Sequence, residues 1–333
     1  MLDERKAEVL RVLVEEYISS GEPVSSRAIL EHSKLDVSPA TIRNDLSALD
    51  REGLAVQPHT SAGRVPTSRG YRYYVDHLTP RRLRAATRDR IQGFFSTVHQ
   101  ELGRLLKSTS ELVADISKYP AIVTGPGMAG EHVHGVSLVP LGGHAVLMVL
   151  VSDAGRVGKE VLTLEHLVED AVVEEAERVL GGLLHGRLLA GAAGLRDEVP
   201  SDLSIATREV VEAGIDMVGL TEDAARDVYV GGTSQMAALW EDLSTVHRVL
   251  GMLEREALVM GIMASAPPGT VIQIGEELPM REGVDLAMIS TPYQVGGVAA
   301  GRIGVLGPMR MDYSRTISIV EEVSDNLADS LGS

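Results

Sequence analysis

The chain has 333 residues, a formal net charge of −16 and no cysteine, which excludes disulfides, thiolate nucleophiles and thiolate metal sites. The charge is divided unevenly: residues 1–90 carry 15 Lys and Arg against 13 Asp and Glu, which leaves 16 against 34 for the rest. The length predicts two or three domains, and the basic front is the part expected to meet a polyanion.

The N-terminal sequence gives no sign of export or of membrane insertion. Residues 1–10 are acidic and amphipathic and lack the regions of a signal peptide. The longest apolar runs, 145–151 and 257–264, are too short to span a bilayer. We therefore expect a cytoplasmic protein that does not contact a membrane.

Two helices are predicted before residue 35. Residues 3–20 place apolar side chains at i, i+3, i+4 and i+7, and Gly21 ends this helix. Pro23 and Ser25 then introduce a shorter helix over 26–32. The connection to the next segment has the length that a helix-turn-helix needs.

The stretch 35–70 begins with a third helix that has one apolar and one polar face. Ser38 is suited to the N-cap and Pro39 to the first helical position, while Gly53 ends the helix. Its polar side chains can pair with base edges and phosphates. Taken alone, the pattern fits an ordinary amphipathic helix equally well. The candidate DNA-binding residues here are Ser38, Ala40, Thr41, Arg43, Asn44, Ser47 and Arg51.

Two short extended pieces, 54–59 and 64–67, follow this helix and predict a hairpin. A helix with a polar face and a basic hairpin after it is the geometry of a winged helix-turn-helix domain, which we assign to residues 1–78. Arg64 is predicted at the tip of the wing, where it would reach the DNA backbone or minor groove. We expect Arg43 to contact guanine and Asn44 to contact adenine. The other candidates in the wing are His59, Ser61 and Thr67.

Beyond residue 78 the pattern predicts an α+β body. Thr79-Pro80 breaks a fourth helix over 69–78, and residues 81–118 are helical in character with a strongly basic start. A mainly antiparallel sheet then follows, interrupted by a block of helices. The predicted strands are 133–140, 144–152, 156–164, 228–232, 271–274, 286–292 and 297–306, and the helices are 163–189, 203–213, 236–260 and 314–331.

Several patterns that suggest other chemistry are weak. Residues 125–130 match G-x-G-x-x-G, but a strand follows them where a dinucleotide site needs a helix, so a loop is expected. His132 and His134 lack a third metal ligand nearby, and Glu276-Glu277 fits a solvated turn better than a pair of acid–base carboxylates. No catalytic constellation is present, and neither a metal nor a cofactor is predicted.

Three motifs carry a specific resemblance. They are VSPATIRNDLSALDREG at 37–53, HTSAGRVPTSRGYRYYVD at 59–76 and GRIGVLGPMRMDY at 301–313. Together with the length and the domain order, they resemble the heat-inducible transcription repressor family, HrcA. The resemblance implies a winged helix at 1–78, a helical linker at 79–118, a GAF-like domain in 119–164 and 227–333, and an inserted dimerisation domain at 165–226.

The resemblance also implies a function and partners. Members of this family are homodimeric repressors that bind an inverted-repeat operator, CIRCE, upstream of chaperone operons. The chaperonin GroEL is the partner that keeps the repressor active, and heat relieves repression by occupying the chaperonin. We therefore expect double-stranded DNA, a second copy of the chain and GroEL as partners, and no enzymatic activity.

Two other classes of function stay open at this point. In one, the GAF-like domain binds a small effector that sets the affinity for DNA. In the other, an enzyme carries an appended DNA-binding domain. Binding to an inverted repeat, with and without Arg43→Ala, separates both regulators from the enzyme.

Overall fold

A computed structural model describes residues 2–59, 62–97, 102–127, 131–153, 155–189, 192–224, 227–240, 242–264, 266–278, 285–295 and 298–332. They form two compact units, one of residues 1–124 with 228–333 and one of residues 125–227. In chain order the elements are α1 Glu4–Ser20, α2 Ser26–His32, α3 Pro39–Arg51, β1 Ala55–Val56, β2 Val65–Pro66, α4 Ser68–Asp76, α5 Ala85–Thr97, α6 Leu102–Ser117, β3 Ala121–Thr124, β4 Val133–Gly142, β5 Ala145–Ser152, β6 Val157–Thr163, α7 Asp170–Leu184, α8 Ile205–Ala224, β7 Val228–Gly231, α9 Leu243–Leu253, α10 Glu256–Ala264, β8 Val271–Ile274, β9 Leu286–Val295, β10 Val298–Pro308 and α11 Tyr313–Gly332.

The first unit begins with a domain of three helices and a small hairpin, followed by α4. Asp3, Ser25 and Ser38 cap α1, α2 and α3, each accepting a hydrogen bond from an amide of the first turn. Strands β1 and β2 pair antiparallel. This confirms the predicted winged helix-turn-helix fold. Its core is formed by Val9, Leu10, Leu13, Ile29, Ile42, Leu46, Leu49, Leu54 and Tyr71.

A five-stranded antiparallel sheet lies at the centre of the rest of the first unit, in the order β7-β3-β10-β9-β8. Helices cover both of its faces. Ile289 and Ile303 pack with α6 and α11, whereas Met288 and Leu306 pack with α9 and α10. Because both faces are covered, the first six residues of β9 are all buried, where a half-exposed strand would alternate. The predicted α+β class is confirmed.

The second unit is a three-stranded antiparallel sheet, β4-β5-β6, with α7 and α8 on one face. Strand β5 alternates buried and half-buried residues, and its buried Val146, Met148 and Leu150 pack with Leu180 and Ile215 of the helices. The strands therefore share a core with these helices.

The sequence analysis placed 119–164 in the GAF-like domain and began the insertion at 165, whereas the compact unit begins at 125.

Several predicted elements differ in extent from those observed. The helical stretch 81–118 contains α5 and α6, and residues 98–101 between them lie outside the described part of the chain. The helix predicted over 163–189 is shortened to α7, since Thr163 pairs with Ala145 in the sheet. Strand β3 was not predicted at all.

The predicted helix over 236–260 is divided. A short 3-10 helix, Thr233–Ala238, precedes α9, and α10 follows it. The carboxylate of Asp242 accepts hydrogen bonds from the amides of Ser244 and Thr245, which starts α9 as a separate helix. An N-cap side chain thus overrides an apolar pattern that continues through it.

None of the helices in the described ranges has both the length and the apolar character needed to cross a bilayer.

Candidate nucleic-acid interface

The reading helix α3 buries one face and exposes the other. Ile42, Leu46 and Leu49 are buried against the domain core. Among the described residues, neither Arg43 nor Arg51 has a carboxylate within ion-pair distance, so both guanidinium groups can meet an external acceptor. The exposed face consists of Ala40, Arg43, Asn44, Ser47 and Arg51, all of which were predicted to bind DNA.

Two contacts run along the exposed face and order its side chains. Ser47 donates its hydroxyl to the carbonyl oxygen of Arg43 at 2.8 Å, and Arg51 Nε donates to the carbonyl oxygen of Ser47 at 3.2 Å. The Ser47 hydroxyl keeps its lone pairs for an incoming donor, and Arg51 keeps its terminal nitrogens. The predicted contacts of Arg43 and Asn44 with bases stay predictions.

A buried carboxylate fixes the rotation of the reading helix. Asp45, 3% exposed, accepts hydrogen bonds from Arg5 Nε at 2.8 Å and from Arg5 Nη2 at 3.0 Å. This hydrogen bonding to Asp45 raises the pKa of Arg5. The paired geometry joins α3 to α1 with a defined orientation. The sequence analysis missed Asp45 because it is a polar residue among exposed polar residues, and nothing in the local pattern marks it as buried.

Three predicted hydroxyl residues are already engaged in local structure. Ser38 accepts from the amide of Thr41 at 3.2 Å, and the two side-chain hydroxyls lie 2.9 Å apart. Thr67 donates to the carbonyl oxygen of Gly53 at 2.7 Å and accepts from the amide of Gly70 at 3.2 Å. Ser38 is exposed, whereas Thr67 is half-buried and holds the wing to the end of the reading helix.

The structure places Arg64 at the base of the wing, whereas the sequence analysis placed it at the tip. Its amide and carbonyl groups both bond to the main chain of Val24 at 2.9 Å. Its Nε lies 3.1 Å from Asp50 Oδ2, and its side chain is only 16% exposed. Arg64 therefore joins the wing to the reading helix in the structure. Its predicted contact with DNA stays a prediction.

The wing approaches the first loop so closely that a side chain does not fit at Gly63. A Cβ at Gly63 would lie 2.2 Å from the carbonyl oxygen of Val24, which belongs to the backbone and cannot turn away. His59 is exposed before the wing turn, and Ser61 lies outside the described residues. The base of the wing is thus fixed by backbone contact.

Arg69 is a candidate that the sequence analysis did not select. It is exposed in the first turn of α4 and has no ion-pair partner among the residues that the structure describes. Its Nη1 lies 3.1 Å from the point where a Cβ on Gly53 would stand, which puts the guanidinium beside the end of the reading helix. The sequence could have indicated Arg69, because it is an arginine that follows the wing directly and lies in the first turn of a helix capped by Thr67.

The patterns that suggested other chemistry have structural roles. Glu277 pairs with Arg72, and the imidazole of His132 lies 3.2 Å from Asp153. No group of three or more metal-ligating side chains occurs within the described ranges. The loop predicted over 125–130 is described only as far as residue 127.

Comparison with known proteins identifies the family. A family model described as the HrcA protein C terminal domain matches residues 103–317, and one for a DeoR-like helix-turn-helix domain matches residues 14–67. The heat-inducible transcription repressor HrcA of Frankia casuarinae is 37% identical to this chain over 100% of the chain and 99% of that protein. The chain belongs to the HrcA family. The resemblance seen in its motifs is confirmed.

Further similarities agree with this assignment to HrcA. The heat-inducible transcription repressor HrcA of Halalkalibacterium halodurans is 33% identical over 98% of this chain and 97% of that protein. The crystal structure of a hypothetical protein, solved at 2.2 Å resolution, matches with a TM-score of 0.63 at 22% identity, over 100% of this chain and 99% of that one. The similarity to that crystal structure shows a shared fold only.

Proposed function

We propose that this protein represses transcription of chaperone genes by binding an inverted-repeat operator of the CIRCE type. The observation that carries the proposal is the exposed face of α3, where Arg43 and Arg51 lack carboxylate partners among the described residues. A helix of this kind enters the major groove, where arginine and asparagine read guanine and adenine. Because the operator lies in chromosomal DNA, the proposal places the protein in the cytoplasm, as a regulator without enzymatic activity.

The experiment is footprinting on the promoter upstream of the chaperonin operon of the same organism. We expect the purified protein to protect an inverted repeat at moderate ionic strength. Arg43→Ala should lose that protection, while a variant of an exposed arginine in the linker, Arg90→Ala, should keep it. Equal protection of a scrambled duplex by the unaltered protein would reject the proposal.

We further propose that the protein binds DNA as a homodimer, joined through residues 125–227. The outer face of sheet β4-β5-β6 carries an apolar row in which Val139 pairs with Leu147 and Leu147 with Val161. Val139 and Val161 are 44% and 46% exposed, and Val157 on the same face is 59% exposed. Apolar side chains gathered on one exposed face support an interface. Two copies would bring two reading helices to the two halves of an operator.

The chaperonin GroEL is proposed as the partner that sets the active fraction of the repressor. A partner that binds one folded state shifts the population of that state by mass action. Addition of GroEL to protein with reduced DNA binding should therefore restore the footprint. Failure of GroEL to restore it, with no change in the amount of folded protein, would contradict this part of the proposal.

A second candidate function, control by a small effector, is supported by one cleft, which is lined mainly by the winged-helix domain and so differs from the site in the GAF-like domain that the sequence analysis considered. The cleft has a volume of about 470 Å³ and lies between α1, α4 and the start of α11, with Arg11, Tyr73, Tyr74 and Ser314 among its lining residues. An occupant would touch both the DNA-binding domain and the helix that follows the sheet. Restoration of the footprint by a low-molecular-weight cell extract, and not by GroEL, would favour this function over the first.

A further inference from the structure

The DNA-binding domain contacts an edge strand of the five-stranded sheet through Arg72. Arg72 lies on α4, and its Nε donates to Glu277 Oε1 at 2.8 Å while its Nη2 donates to Glu277 Oε2. Nη2 also donates to the carbonyl oxygen of Ile272 at 2.5 Å. Ile272 belongs to β8, which ends the strand order of the sheet. One guanidinium group therefore bonds three acceptor atoms across the contact.

The acceptor side of this contact is itself held in place. Glu277 ends a short 3-10 helix, Gly275–Glu277, and its Oε2 accepts the amide hydrogen of Ile274 at 2.9 Å. A carboxylate fixed by the backbone of its own turn cannot follow a moving partner freely. The planar guanidinium and the planar carboxylate then meet in only one orientation.

The other contacts around Arg72 also hold α4 against the body, but they depend less on the angle between the two. Tyr71 and Tyr313 are each 1% exposed and their ring centroids lie 6.0 Å apart. Ser68 Oγ lies 3.5 Å from the sulfur of Met309. Apolar contact is non-directional and tolerates small rotations. The paired hydrogen bonds of Arg72 do not tolerate them, since their strength depends on angle.

We propose that Arg72 is a positioning residue, whose pairing with Glu277 fixes the angle at which each winged helix is presented and so restricts the half-site spacing that two copies can bind. The inference rests on the proposed function and deepens it. Duplex DNA turns once in 10–10.5 base pairs, or about 34–36 Å, so one extra base pair displaces a half-site by about 3.4 Å and rotates it by about 34°. A reading helix held at a fixed angle cannot follow that displacement.

The first experiment measures the position of the winged helix without DNA. Because the chain has no cysteine, Lys34→Cys and Glu254→Cys, both at exposed positions, give one spin label on the DNA-binding domain and one on the body. The doubly labelled chain is diluted with an excess of unlabelled chain, so that distances within one chain are measured. The same two labels are also introduced into two variants. Arg72→Met keeps the aliphatic part of the side chain, and Glu277→Gln keeps a side-chain oxygen that can accept from the amide of Ile274.

We expect one narrow distance distribution for the parent protein and a clearly broader one for both variants. Arg72→Lys should lie between them, since an ammonium group keeps the charge and loses the fork. The control is Arg90→Met, which removes an exposed ion pair with Asp115 that does not involve the DNA-binding domain. Unchanged distributions in Arg72→Met and Glu277→Gln, with parental circular dichroism, would overturn the proposal.

The second experiment tests spacing on the inverted repeat that the parent protein protects. The spacer between half-sites is lengthened or shortened by one and two base pairs, and a single half-site is measured beside it. We expect the parent to prefer its own spacer by about tenfold or more and Arg72→Met by about threefold or less, with single half-site affinity within about twofold of the parent. An unaltered preference in Arg72→Met would contradict the role of Arg72. A parent protein without any preference for an inverted repeat would reject the proposed function, and the label distances would still decide the positioning.

Discussion

At the scale of single residues, the exposed arginines near α3 divide into two kinds by their position. Arg43 lies in the middle of the exposed face of the reading helix, where we propose that its side chain reaches base edges. Arg69 lies beside the end of that helix, where we propose that its guanidinium meets the DNA backbone. The two positions predict different effects on binding.

Arg43→Ala should cost about 1–3 kcal/mol of binding free energy on the operator and relax discrimination at one base pair of each half-site. The reason is that the substitution would replace the proposed bidentate contact with guanine by a methyl group. Titrations of operator duplexes with single substitutions would measure this. An equal loss on operator and scrambled duplex would place Arg43 on phosphate instead.

Arg69→Ala should weaken binding to all sequences alike. Loss of one phosphate contact in each subunit releases fewer counterions, so the slope of log K against log salt should fall by about 0.9 for each contact removed. The measurement is affinity between 50 and 200 mM salt, a range over which this electrostatic contribution is large. Arg27→Ala is a useful comparison, since Arg27 is exposed but already pairs with Glu31. A changed base preference in Arg69→Ala would contradict this role.

Asp45→Asn should lower the free energy of unfolding of the DNA-binding domain by about 1–3 kcal/mol, because it removes the negative charge and replaces one of the two oxygens that accept from Arg5 with an NH2 group. Arg5, the partner, is about half exposed, so the loss stays below that of a fully buried pair. Urea unfolding followed by circular dichroism measures it. Asp36→Asn, at an exposed position in the loop before α3, is the matched control and should change stability by less than about 0.5 kcal/mol. Equal stability of both variants would show that the pair does not hold α3.

At the scale of elements, the wing depends on a backbone contact with the loop between α1 and α2. Gly63 lies against the carbonyl group of Val24, and Arg64 pairs with both backbone groups of Val24. The hairpin of β1 and β2 contains only two residues in each strand, and a hairpin of that size is not stable alone. The contact with Val24 therefore decides where the wing lies.

Gly63→Ala should displace the wing and lower the free energy of unfolding by about 1–3 kcal/mol, as overpacking in a close contact does. DNA affinity should fall with it, since the wing leaves the position set by Asp50 and Val24. The control is Gly93→Ala in α5, where nothing lies within 4 Å of the added Cβ. That helical substitution should stabilise the protein by about 0.5–1 kcal/mol. A neutral Gly63→Ala would show that the loop moves aside without cost.

At the scale of the whole molecule, the proposed recognition of an inverted-repeat operator depends on self-association. One winged helix contacts only a few base pairs, so two copies are needed for a specific site. The apolar outer face of sheet β4-β5-β6 is the surface we propose for this contact. Its residues are not needed for the core of their own unit, which lies on the opposite face.

Val161→Glu should convert the proposed dimer to a monomer at micromolar concentration, because it would bury a carboxylate in the proposed apolar interface. Ala171→Glu adds the same charge at an exposed position of α7 and should leave the dimer intact. Light scattering on a sizing column distinguishes the two states. A dimeric Val161→Glu would move the interface to another surface of the molecule.

The charge distribution of the whole chain agrees with a DNA-binding role for the N-terminal domain alone. The basic residues concentrate in residues 1–90 and the acidic excess lies in the remainder. An acidic body is repelled by DNA and leaves the basic domain as the part that approaches it.

The sequence determined the elements that depend on local signals. Capping residues such as Ser25 and Ser38 fixed the starts of α2 and α3, because a side chain can satisfy an amide three residues away without help from the rest of the fold. The period of apolar residues fixed the reading helix and its exposed face. The three motifs determined the family, since they are continuous segments of chain.

Tertiary structure alone decided what depends on distant partners. Sequence spacing could not separate buried Asp45 from its exposed neighbours, because only Arg5 of α1 makes that burial tolerable. It placed Arg64 at the wing tip, because the pairing with Val24 joins residues far apart in the chain. The pairing of Arg72 with Glu277 spans 205 positions of sequence. Local propensity acts over a few residues, whereas these contacts exist only after the chain has closed its long loops, so no pattern within a single segment encodes them.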